Sequence, residues 1–132
     1  MKDRHPVTFS QLRVANLGRC LEVFHPLEDW SPTDWATAVS GEVGEACNLI
    51  KKMRRGEPVA PMEVASELAD AVIYLDLLAA RLGIDLGRAV AYKFNHVSDM
   101  RKSSFRILPD PSNPCPLGYL PPDQAPSTPE GK

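Results

Sequence analysis

What this chain of 132 residues lacks narrows its chemistry first. Its three cysteines, Cys20, Cys47 and Cys115, are an odd number with no close spacing, so neither a disulfide framework nor a thiolate zinc site is indicated. No apolar run approaches the length of a membrane span. The opening Met-Lys-Asp-Arg-His-Pro has no apolar signal region behind it, so a cytoplasmic protein without a membrane is expected. A basic excess is also missing. The net charge of −2 argues against stable nucleic-acid binding, which usually rests on clustered cations. There is no phosphate-cradling glycine loop and no internal repeat, and His5, His25 and His96 fall into no ligating or catalytic pattern. What remains is ordinary for one soluble domain with a moderate core, at 43% hydrophobic and 24% charged residues.

The punctuation predicts four helices. The first opens at Thr8, with Gln11 three residues on completing a capping box, and runs to about Val23 along a loose apolar face of Phe9, Leu12, Ala15 or Asn16, and Cys20. The second has Ser31 as N-cap, Pro32 in the first helical position and Asp34 in the first turn. It reaches about Arg55, where Lys51, Lys52, Arg54 and Arg55 suit a helix C-terminus and Gly56 stops it. The third runs from near Pro61 to Arg81-Leu82, and Asp85 caps a fourth that reaches about Lys102 through Leu86, Val90, Phe94 and Val97. From Pro109 the composition changes: the last 24 residues hold eight prolines. The expected organisation is a helical domain over residues 1–108 and a flexible Pro-rich tail over residues 109–132.

Two carboxylate pairs interrupt this pattern, Glu42-Val-Gly-Glu45 and Glu67-Leu-Ala-Asp70. Residues three apart share one helix face. At about 100° per residue, Glu42 lies about 20° from Trp35, in the middle of a stripe formed by Val39, Ala46, Leu49, Ile50 and Met53, with Glu45 at its edge. The third helix is apolar almost all round, which predicts a place at the centre of a bundle. Glu67 and Asp70 sit between its apolar faces beside Tyr74. Two such helices side by side would converge four acids on a small volume. Such a cluster is costly unless a hard divalent cation, ligated by carboxylate oxygen, offsets the charge.

Gly41-Glu42-Val43-Gly44-Glu45-Ala46 followed by Glu67-Leu68-Ala69-Asp70-Ala71-Val72-Ile73-Tyr74-Leu75, with Lys93-Phe94-Asn95 behind them, resembles the MazG-like all-α nucleoside triphosphate pyrophosphohydrolases. The resemblance is to the deoxynucleotide, dCTP-type house-cleaning members, and it covers roughly residues 8 to 102. It implies an all-α, four-helix MazG-like bundle that hydrolyses (deoxy)nucleoside triphosphates to monophosphate and pyrophosphate. It also implies dependence on Mg²⁺ or Mn²⁺ and assembly as a homodimer or homotetramer. By position, Glu42, Glu45, Glu67 and Asp70 match metal ligands, Tyr74 a residue lining the nucleotide site, and Lys93 a residue contacting phosphates. One position departs from the pattern. Several members carry Asn four residues after the Lys, whereas here Val97 fills that slot and Asn95 comes two residues after Lys93; Arg101 then shares the phosphate contact.

The chemistry suits the residues on their own terms. Phosphoryl transfer asks the protein mainly for positioning and charge neutralisation. Glu42 and Glu45 are the catalytic candidates, with Glu45 preferred as the acid that orients the attacking water. Trp30, Trp35 and Tyr74 offer stacking faces to a base, and Lys52 belongs to a basic cluster that could meet an anion. Two rival readings exist. A di-iron bundle would need Glu-x-x-His on two helices, and only Glu22-Val-Phe-His25 has that form. A non-enzymatic helical dimerisation module would instead pair the acids with Lys51, Lys52, Arg54 or Arg88 across an interface.

Overall fold

The computed structural model describes residues 7–107, all helices, turns and loops. The 108/109 boundary and the Pro-rich tail lie outside the described residues. The chain divides into two compact units, Met1–Leu82 and Gly83–Lys132.

The first unit carries three α-helices: α1 (Phe9–Arg19), α2 (Pro32–Arg54) and α3 (Pro61–Arg81). Each starts where its punctuation predicts. Thr8 and Gln11 close a capping box on α1, and Ser31 and Asp34 close one on α2, with the Asp34 carboxylate accepting from both the Ser31 N–H and hydroxyl at 2.8 Å. Those bonds hold Asp34 below the usual carboxylate range. Gly56 and Gly83 end α2 and α3 at φ +81° and +70°, where a side chain would be strained.

The end of α1 differs from expectation. The predicted helix to Val23 becomes a π-helical turn over Cys20–Phe24, closed by the His25 N–H on the Cys20 carbonyl at 2.9 Å. Pro26 forbids a further helical turn, and the extra residue per turn rotates His25 inward. A short 3₁₀ turn, Leu27–Asp29, leads to α2.

In this unit α2 and α3 make the longest contact and α1 packs on α3. Cys20, Trp35 and Leu77 form the buried core, with Leu27, Trp30, Tyr74 and Leu78 against it. The apolar circumference of α3 is only partly used: Ala71, Leu77 and Ala79 are buried, while Leu68 is 53% and Val72 44% exposed. Ile50 and Met53, at the far end of the α2 stripe, are likewise about half exposed. α1 and α2 cover part of α3, not all of it.

The most completely buried side chain is Asp76 of α3, at 1% exposure, which the sequence pattern did not single out. Arg13 of α1 donates from Nε to its Oδ1 at 2.9 Å, and Asn16 donates from Nδ2 to its Oδ2 at 3.1 Å. This network pins α1 to α3.

The second unit contains α4 (Leu86–Met100), capped by Asp85, whose carboxylate accepts from the Arg88 N–H at 3.0 Å. Lys102, at φ +56°, turns the chain back, and Ile107 exchanges two hydrogen bonds with the Asn95 amide at 2.7 and 2.8 Å.

Removing the Asp76 carboxylate takes away the acceptor of Arg13 Nε and of one Asn16 N–H at a buried position. Asp76→Ala is expected to lower unfolding free energy by about 2 kcal/mol, less than a fully buried pair because Arg13 is partly solvated. Urea titration checks this, and a loss below about 0.5 kcal/mol would mean that the network contributes little.

Candidate functional site

The long α2–α3 contact brings the two carboxylate pairs face to face. Oxygens of Glu42, Glu67 and Asp70 all lie within 4.8 Å of one another, and each side chain is half-buried. Glu45 is exposed and stands outside this threesome, yet its carboxyl hydrogen-bonds that of Glu67. No described Lys or Arg forms an ion pair with any of the four; the described pairs are Arg13–Asp76, Arg55–Glu57, Arg88–Asp85 and Arg106–Asp99.

The electrostatic consequence is visible in their proton affinities. Desolvation, followed by the charges of Glu45 and Asp70, pushes the Glu42 carboxyl above its ordinary value. The hydrogen bond that the protonated Glu67 carboxyl donates to Glu45, then desolvation and the charges of Glu45, Glu42 and Asp70, push Glu67 up as well. A cluster in which two carboxyls resist ionisation has the donor chemistry for a hard cation: all-oxygen, anionic, and without an ion pair to a cation among the described residues. Glu42, Glu67 and Asp70 are the residues that would hold it.

A cavity of about 370 Å³ opens beside the acids, and Asp70 is in its wall. The other walls include Asn16, Arg19, Cys20, His25, Trp30, Trp35 and Tyr74. Four rings form a continuous aromatic lining. His25 lies 4.9 Å from Trp30 and 5.6 Å from Trp35, the two indoles are 4.6 Å apart, and Tyr74 is 6.2 Å from Trp35. Backbone ties hold the lining in place. Trp35 Nε1–H donates to the Leu27 carbonyl at 3.1 Å, and Arg81 Nε–H donates to that of Trp30 at 3.0 Å. His25 Nδ1 lies 2.8 Å from the Pro26 carbonyl, a pure acceptor, so Nδ1 carries the proton. The Cys20 thiol donates to the His25 carbonyl at 3.2 Å, and burial pushes it up, keeping it a neutral thiol.

Trp35 and Tyr74 thus stand with the carboxylates in the first unit, and Trp35, 2% exposed, serves the core and the cavity together. Lys52 is half-buried near the end of α2 and lines neither the acidic cluster nor the cavity. In the second unit Lys93 and Arg101 line one open groove on α4 with Val90, Phe94, Val97 and Ser98, while both ends of the Asn95 amide are engaged by Ile107. Sequence reasoning missed His25, whose entry depends on the π-helical turn, and Asn16, which it treated as an alternative apolar position. The Glu22-x-x-His25 pattern does not form a ligand pair with the acids: His25 belongs to the aromatic lining.

Two known proteins are similar to this chain. The chain is 35% identical over 102 residues to dCTP pyrophosphatase 1 of Rattus norvegicus, covering 68% of this chain and 60% of the relative. It is 34% identical over 113 residues to dCTP pyrophosphatase 1 of Homo sapiens, covering 74% and 64%. The chain belongs to the MazG-like all-α superfamily. It spans about three-fifths of the length of these curated relatives. No family model and no solved structure matches it.

Because Glu42 and Glu67 bind protons more tightly in the folded chain than ordinary carboxyls do, protonation favours the fold. Their stabilising contribution is complete below the ordinary value of 4.5 and is lost as pH rises through the raised values. In EDTA the melting temperature should therefore rise as pH falls from about 7 to about 5, and Glu67→Gln should flatten the profile. Thermal unfolding across that range decides it; identical profiles for wild type and variant would contradict the mutual repulsion.

Proposed function

We propose that this chain is a divalent-metal-dependent pyrophosphohydrolase, cleaving (deoxy)nucleoside triphosphates to the monophosphate and pyrophosphate in a house-cleaning role. The observation that carries it is Asp70. This one side chain belongs both to the carboxylate cluster and to the wall of the aromatic cavity, so a base among the rings would have its phosphates directed toward the acids. The names of the two curated relatives support the same reading and favour a cytosine deoxynucleotide.

In this reading Glu42, Glu67 and Asp70 hold Mg²⁺, or Mn²⁺ in its place. A bound cation of this kind neutralises phosphate oxygens and lowers the pKa of an attacking water. Glu45, exposed but hydrogen-bonded to Glu67, orients that water and takes its proton. Glu42 fixes the cation side of the cluster from the middle of the α2 stripe. Trp30, Trp35 and Tyr74, joined by His25, stack on the base. Lys93 and Arg101 hold the phosphate tail; Lys52 and Asn95 are secondary candidates for substrate contact.

The half-exposed stripe Leu68, Val72 and Leu75 on α3, with Val43, Ile50 and Met53 on α2, suits burial in a homodimer or homotetramer. Among the described residues no helix is long and apolar enough to cross a membrane, and a cytoplasmic location completes the reading. The same stripes favour one second reading, the non-enzymatic dimerisation module. Its structural ion pairs have no counterpart among the described cations, however.

Pyrophosphate release from a panel of nucleoside and deoxynucleoside triphosphates, with Mg²⁺ and with EDTA, separates the two. Loss of a charge-neutralising ligand is worth several kcal/mol, so Glu42→Gln should lose turnover about a hundredfold or more. No release from any nucleotide, together with no thermal stabilisation by Mg²⁺, would leave the acids structural and the module reading standing.

A further inference from the structure

Asn16 is 3% exposed, lies in the wall of the aromatic cavity and takes no part in the mechanism above. Its amide orientation is fixed by chemistry. Nδ2 donates to the Ile73 carbonyl at 2.9 Å and to Asp76 Oδ2 at 3.1 Å. A carbonyl and a carboxylate only accept, so the NH₂ end must face them and the amide cannot be turned round. The carboxylate is itself held: Arg13 donates from Nε to Asp76 Oδ1 at 2.9 Å and from Nη2 to the Asp76 carbonyl at 3.4 Å. Both donors of the Asn16 amide are thereby consumed. Its Oδ1 receives no hydrogen bond from any described residue, and it is the hydrogen-bonding group that Asn16 has left to offer a ligand in the cavity.

A fixed acceptor sorts bases by what they present. An exocyclic amino group, such as N4–H₂ of cytosine, donates to it. The corresponding keto oxygen of uracil or thymine would set lone pair against lone pair in a confined site and leave Oδ1 unsatisfied. We propose that Asn16 is a specificity-determining residue that selects a base bearing an exocyclic amino group over its keto counterpart, with Asp76 and Arg13 as positioning residues that lock the acceptor end toward the base. This rests on the reading that the aromatic cavity takes the base of a nucleotide substrate.

The test compares kcat/KM of the full chain with Mg²⁺ for dCTP, dUTP and the deoxynucleoside triphosphate of 2-pyrimidinone, which carries no substituent in place of the amino group. The amino nucleotide should lead each of the others by about tenfold or more. Asn16→Ala removes the acceptor itself and should bring the dCTP to dUTP ratio to near one. A role confined to stability would lower all three substrates together and leave the ratio unchanged. The proposal is overturned if wild type turns over the pyrimidinone nucleotide as well as dCTP, a comparison that needs no variant to fold. It is also overturned if folded Asn16→Ala keeps the wild-type ratio. Hydrolysis of no triphosphate at all would sink the underlying function, a result distinct from hydrolysis without amino selectivity.

Discussion

Carboxylates within 4.8 Å of one another repel, and it is the α2–α3 contact that brings them together. The two helices are held together by apolar packing around Trp35 and Leu77, a force with no knowledge of charge. Each helix carries acids three residues apart on the face that meets its neighbour. The favourable burial and the unfavourable electrostatics therefore come from the same docking event and cannot be separated by a small shift of one helix. What relieves the repulsion is a proton, as the raised Glu42 and Glu67 carboxyls show, or a cation.

The aromatic cavity is built on a different principle. Its rings come from a π-helical turn, a 3₁₀ turn and two long helices, so no single element specifies it. Backbone carbonyls do the joining: those of Leu27, Trp30 and His25 accept from Trp35, Arg81 and Cys20 respectively. Beneath it the Arg13–Asp76–Asn16 network fastens α1 to α3. A wall made this way is rigid where a base would stack and polar where a base edge would be read.

Much of this was legible in the sequence because it is local. Thr8, Ser31 and Asp85 announce helix starts through bonds to residues three positions on, and Gly56 and Gly83 announce ends through backbone freedom that other residues lack. The carboxylate pairs were legible for the same reason, since helical spacing alone puts each pair on one face. What escaped is non-local. Asp76 finds Arg13 and Asn16 on another helix, and only its position between Leu75 and Leu77 hinted that a buried partner was required. His25 was invisible because one extra residue in a turn decides whether it faces solvent or Trp30. The all-apolar α3 was expected to be enclosed; its exposed Leu68 and Val72 show that an apolar circumference states a demand for burial without saying which surface meets it.

The chain has two tryptophans, Trp30 and Trp35, and both are in the cavity lining with their ring centres 4.6 Å apart. All of the protein's indole absorption and emission thus originates at one place. Two indoles this close couple their excited states, so the indole part of the near-ultraviolet dichroism is a signature of the pocket. Any molecule that slides between or against these rings writes its arrival directly into the optical spectrum, and the protein carries its own label.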